Sequence, residues 1–135
     1  MFTVLLSAIL AFGSPNEVQN AVSQSVFQSI ERSHKIALVE FDPSTNQITG
    51  KILKQFENND LILLKSYLLD GSSYHFNKTK TCLFIPQYAL TFSDSEDVVI
   101  LISPSGKQLK FQFEGKSKIL DYDPMSDFMD RLLVL

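Results

Sequence analysis

Asp121, Asp123, Asp127 and Asp130 crowd the C-terminal end of the chain, and oxygen-rich clusters of this kind hold Ca²⁺ or Mg²⁺. Asp127 and Asp130 stand three apart, which puts them on one face of a helix. A local account competes with the metal. Asp123 precedes Pro124, a pairing that starts a helix, and Asp127 falls near the first turn, where a carboxylate complements the helix dipole. EF-hand spacing and the glycine of its bend are missing. The cluster reads as a helix start, and no metal is assigned to it.

His34 and His75 are the two histidines, and Cys82 is the single cysteine. A Cys82–His75 pair would supply a nucleophile and its base. Cys82, however, is followed by Leu83, Phe84 and Ile85, an apolar setting that raises a thiol pKa and favours burial. One cysteine excludes a disulfide within the chain. Zinc hydrolysis needs several nitrogen or sulfur ligands and a base, more than two separated histidines and one thiol provide. His34 lies just past the first helix, where an imidazolium suits the dipole. Ser103-Pro104-Ser105-Gly106-Lys107 ends in Gly-Lys but lacks the first glycine and the Ser/Thr of a phosphate loop, so it reads as a hairpin turn. Asn77-Lys78-Thr79 fits a glycosylation sequon, a motif short enough to be common by chance and one that a bacterial origin would leave idle. The remaining candidate is a binding wall of Tyr74, Phe76, Cys82, Phe84 and Tyr88, apolar surfaces with a few polar tips. Its plain alternative is core, since eleven phenylalanines must fill a domain without tryptophan. No cofactor is called for.

The elements that must position these residues begin after an apolar start. Phe2 to Phe12 carries no charge. It is shorter than the roughly 20 residues that span a membrane and has the length of a secretory signal core. Ala11 and Gly13 are the small residues signal peptidase requires, so residues 1–13 are expected to be a signal, cut before Ser14. No Lys or Arg precedes the run, so the signal is atypical or its true start lies upstream. Ser14-Pro15-Asn16-Glu17 then opens a helix with a capping box. The mature chain, 14–135, has the size of one domain. It should reside in the periplasm or be secreted, with no stable membrane span after cleavage.

Val18, Val22 and Val26 recur at fours, with Ala21, Phe27 and Ile30 beside them, predicting one amphipathic helix over Pro15–Arg32. Lys35–Phe41 and Gln47–Leu53 read as strands joined through Asp42-Pro43-Ser44-Thr45-Asn46, a turn by chemistry. Leu61–Leu69 fits a buried strand by length and a helix by spacing. Leucine content, the Asn/Asp residues before it and Asp70-Gly71 after it favour helix. Further strands are expected at Ser73–Phe76, Thr79–Ile85, Tyr88–Phe92, Val98–Ser103 and Lys107–Phe113, and a last helix at Pro124–Val134. The fold class is α+β: an antiparallel sheet of about five or six strands with N-terminal and C-terminal helices on one face.

Within Leu61 to Phe111, Ser73-Tyr74, Cys82, Phe84, Pro86, Tyr88 and Ala89 form a Leu-rich helix, then Ser-Tyr, then Cys-x-Phe-x-Pro-x-Tyr-Ala. This resembles a pattern in small uncharacterised bacterial proteins, many of them exported. The resemblance implies export and no particular activity. Such proteins often carry a second cysteine where this chain has Ser105-Gly106, so no disulfide is implied for Cys82.

A net charge of −3 argues against a nucleic-acid surface, which needs clustered Lys and Arg. The expected function is non-enzymatic binding of an unknown protein or small molecule. The alternative is a thiol- or carboxylate-dependent enzyme centred on Cys82 or on the Asp121–Asp130 cluster.

Overall fold

The computed structural model describes residues 15–77, 80 and 82–134. The expected signal, its cleavage point and the Ser14 cap lie outside the described residues. Six strands form one antiparallel sheet: β1 Ile36–Asp42, β2 Gln47–Phe56, β3 Tyr88–Phe92, β4 Ser95–Ser103, β5 Gln108–Phe113 and β6 Lys116–Asp121. Their spatial order is β2-β1-β3-β4-β5-β6. Among the described residues the helices are α1 Pro15–Ala21, α2 Gln24–Arg32, α3 Asn58–Leu68 and α4 Ser126–Leu132. The α+β class read from the sequence is the class observed. No described helix is long and apolar enough to cross a membrane.

Period-two alternation divides the sheet into two faces. Ile36 and Leu38 of β1, Leu90 and Phe92 of β3, Ile100 and Ile102 of β4, and Leu109 and Phe111 of β5 point to the same side. There they join Val18, Val26, Ile30, Leu61, Leu64, Leu68, Met129 and Leu132 of the helices in one core. The opposite face holds a smaller cluster of Val39, Phe41, Ala89 and Leu101, with Ala37, Phe84 and Val99 packed against it. Among the described residues, no helix contributes to that second cluster.

The local chemistry behaves as expected in several places. Asp42 accepts hydrogen bonds from the Ser44 backbone N–H (2.9 Å) and hydroxyl (2.7 Å), closing the β1–β2 turn. Leu61, Leu64 and Leu68 are the buried stripe of α3, so the leucine run is a helix. At the end of α2, the carbonyl of Glu31 accepts a 2.8 Å bond from Lys65 of α3, and Tyr67 stacks on Phe128 at 3.9 Å, tying α3 to α4.

Four expectations need correction. The first helix is two, because Ser23 leaves helical geometry to cap α2, its hydroxyl accepting the Val26 N–H at 3.1 Å. Ser23 competes for the backbone as serine does at helix starts, and the valine spacing does not reveal it. Second, residues 82–85 carry no regular secondary structure and form no ladder, so the strand expected at Thr79–Ile85 is absent there; Thr79 and Thr81 lie outside the described residues. Third, Ser73 ends a short 3-10 turn, and His75 alone makes a bridge, to Asp121. The sixth strand is instead Lys116–Asp121, whose exposed, Lys-rich first half hides its period. Fourth, the last helix begins as a 3-10 turn over Asp123–Met125 and becomes α-helical at Ser126.

This partition of the core is checkable by urea denaturation. Leu90→Ala, in the fully buried centre of β3, should cost about 2–5 kcal/mol. Ile62→Ala, on the exposed side of α3, should stay within about 0.5 kcal/mol.

Candidate functional site

The connection from α3 to β3 builds the part of the molecule that secondary structure does not explain. After the 3-10 turn, His75 pairs with the edge of β6, its N–H bonding to the Asp121 carbonyl at 3.0 Å. Lys80 follows, and residues 82–87 then cross the second face as a strap. The Cys82 thiol lies 3.9 Å from Gln108 Oε1 of β5. The Ile85 N–H bonds to Ser103 Oγ of β4 at 3.0 Å. Gln87 bonds to Ile102 O and accepts from Phe41 N–H, at 3.0 and 3.1 Å, which merges the strap into the sheet. Phe84 is its apolar anchor, packed on the second cluster, with the Lys110 ammonium 5.3 Å above the ring. Gly106 makes the close passage possible: a Cβ there would stand 2.9 Å from Gln108 Oε1 and 3.0 Å from Cys82 Sγ.

At the root of the strap sits a polar cluster. The Lys80 side chain, 15% exposed, reaches Asp121 Oδ1 at 3.2 Å and Asp123 Oδ1 at 3.0 Å, and donates to the Gly106 carbonyl at 2.7 Å. Burial works against the Lys80 charge, but the hydrogen bonds to Asp123 and Asp121 and the attraction of both carboxylates outweigh it, so its pKa is raised above the ordinary 10.5. Asp121 Oδ1 also accepts the Asp123 backbone N–H at 2.8 Å. His75, 46% exposed, holds Nδ1 3.7 Å from Asp121 Oδ2. Beside it is an open groove of about 470 Å³ lined by Glu17, Tyr74, His75, Phe76 and Asn77.

The candidate binding residues do not form one wall. Tyr74 is core: its ring meets Phe111 edge-on at 6.3 Å, and its hydroxyl donates to Leu68 O at 2.7 Å. Burial, then the nearby Asp70 charge, pushes its pKa up. Phe76 leans on Tyr74 at 5.9 Å and borders the groove by His75. Tyr88 packs at the margin of the helix-side core. Cys82 and Phe84 lie across the sheet, in the strap. Cys82 is exposed, which corrects the expected burial. The apolar residues after it belong to a strap that meets the sheet through Phe84 and leaves Leu83 and Ile85 facing outward.

Nor do the four aspartates act together. Asp121 and Asp123 join Lys80 and His75, whereas Asp127 and Asp130 are exposed on α4. His75 faces Asp121 and Cys82 faces Gln108, so each member of the suggested nucleophile pair has another neighbour. His34 bonds to Asp94 through its backbone N–H (2.9 Å) and Nδ1 (2.8 Å), and the first of these contacts leads in holding the Asp94 carboxyl below the ordinary 3.8. Sequence reasoning missed Lys80, the hub of the cluster. The signal available was a lysine two residues after Lys78 and just before an apolar run, too common to single out.

Comparison of the chain with protein-family models, with curated proteins and with solved structures found no match.

Lys80 links the strap to β6, so its loss is measurable. Lys80→Met should destabilise the fold by about 1–3 kcal/mol near neutral pH, because it removes the ammonium shared by Asp121, Asp123 and the Gly106 carbonyl. A lysine whose folded pKa is raised stabilises fully below its unfolded value and ceases to do so as pH climbs through the folded one. Wild type should therefore lose stability above about pH 10.5, and Lys80→Met should lack that part of the loss in melts recorded across the alkaline range.

Proposed function

We propose that the chain is an exported, non-enzymatic binding domain that acts by protein contact through the open face of its sheet. One observation carries this reading. The face opposite the described helices keeps Val39, Phe41, Ala89 and Leu101 buried at its centre and presents an apolar patch at its β2 edge, Ile48 (38% exposed) and Ile52 (55%), with Ile119 (40%) exposed on β6 at the far edge. Such a patch on a sheet marks an interaction surface.

The edges are less suited to contact. β2 carries register shifts on either side of the Val39–Ile52 pair, and Gly50, at φ +84°, lies within the second, between Ile52 and Ile48. Bulges of this kind twist an edge away from strand addition. The other edge, β6, is engaged by His75 at one end.

The partner best matched to the face is a second copy of the chain. Register puts Lys110 beside Leu101, and Asp97 four residues further along β4 on the same side, about 13 Å away at strand spacing. One cation and one anion on an apolar face are self-complementary across a two-fold axis, the requirement for an isologous pair. Two sheets stacked in this way bury their facing side chains as a sandwich does.

Sedimentation over a wide concentration range should give a mass rising from one chain to two. Ile52→Lys and Asp97→Lys should each weaken association by about tenfold or more, and Asp97→Lys combined with Lys110→Asp should restore it. A mass of one chain at every concentration would rule the pairing out.

Export rests on the apolar start and on the resemblance to exported bacterial proteins. Intact-mass measurement of the protein recovered from a bacterial periplasm should show the loss of residues 1–13. A full-length chain retained in the cytoplasm would end the export reading.

A further inference from the structure

Asp121 presents two unlike carboxylate oxygens. Oδ1 accepts from Lys80 and from the Asp123 backbone. Oδ2 is buried, on a side chain only 2% exposed, and has no hydrogen-bond partner. A buried anionic oxygen left in this state is costly, and native proteins rarely leave one without a compensating group. Oδ2 points to His75, whose Nδ1 stands 3.7 Å away. One ligand atom from each of His75, Asp121 and Asp123 can be chosen so that all three lie within 4.8 Å of one another.

We propose that His75, Asp121 and Asp123 bind a first-row divalent transition-metal ion, with Zn²⁺ the best fit. The donor set decides the class. Imidazole nitrogen with carboxylate oxygen suits Zn²⁺, Co²⁺ or Ni²⁺, whereas Ca²⁺ and Mg²⁺ take oxygen ligands throughout. Two ligands at about 2.0–2.1 Å from a tetrahedral Zn²⁺ stand roughly 3.3 Å apart, so the His75–Asp121 separation needs only a small closure. Lys80 occupies the Oδ1 atoms and so turns Asp121 Oδ2 toward the ion, the role an outer-shell partner plays in metal sites. Three protein ligands leave a coordination position on the solvent side, where the groove beside His75 opens.

Sequence distance concealed this site. The acidic cluster reads as Asp121 to Asp130, and the nitrogen ligand comes from His75, delivered by the bridge to β6. The placement also has a structural consequence. The ion would join β6 to the chain just before the strap, beside the existing Lys80 contacts.

The test uses the full, tag-free chain near neutral pH, titrated with ZnCl₂ in a calorimeter and with CoCl₂ in a visible absorption cell. One equivalent of Zn²⁺ should bind and raise the melting temperature, and Co²⁺ should give a visible ligand-field band. His75→Ala, at a half-exposed position, should fold normally by circular dichroism and lose affinity by about tenfold or more. Asp121→Asn should do the same if it folds, and His34→Ala should leave binding unchanged. Absence of Zn²⁺ binding at millimolar metal, or binding that survives His75→Ala, would overturn the proposal.

Discussion

A sheet with apolar residues on both faces must be covered twice, and the described helices cover one face. The strap is the partial answer for the other. It brings Phe84 onto the second cluster and satisfies its own backbone on Ser103 and Ile102. Because it arrives from the far edge of the sheet, it has to be held where it turns, and Lys80 holds it there by bonding to Asp121, Asp123 and the Gly106 carbonyl. The polar cluster and the apolar face are thus two ends of one device.

The arrangement also explains the strand order. β1 and β2 form a hairpin, and β3 through β6 form a meander. To join them, the chain leaves β2 at one edge, passes through α3 on the helix side, touches β6 at the other edge, and returns across the second face to place β3 beside β1. An antiparallel sheet tolerates such a route because its hydrogen bonds do not depend on the path between strands. The route puts chemistry-bearing residues at its bend, since a chain rounding a sheet edge there exposes polar backbone and side-chain groups that need partners.

Gly106 shows how tightly the turn and strap are matched. The β4–β5 turn supplies a carbonyl to Lys80 and a bare Cα to Cys82 and Gln108. The Gly-Lys pair that superficially suggests phosphate binding thus has a packing role: its glycine admits the strap. The thiol passing over it remains at the surface.

Much of the architecture was legible from residue order alone. Alternation in Leu109, Phe111 and Phe113, the apolar run from Val98, the turn chemistry of Asp42 and the leucine stripe of α3 each encode an element locally, because period and capping are properties of neighbouring residues. The same local logic failed at Ser23, where a serine in a helical pattern proved to be a cap, and at β6, where lysines mask the alternation. Above all it failed at residues 82–85, whose composition favours a strand but whose hydrogen bonds go to a serine side chain and the sheet beyond. The candidate site was legible only in part. Asp121 and Asp123 lie two apart in sequence and were seen together, but His75 and Lys80 meet them only through the edge bridge and the bend of the strap. The sequence by itself determined which segments are helices and strands and that they form an α+β domain, since those depend on short-range periodicity. Tertiary structure alone decided which polar groups converge and which strands stand side by side, because both follow from the path of one connection across the whole sheet.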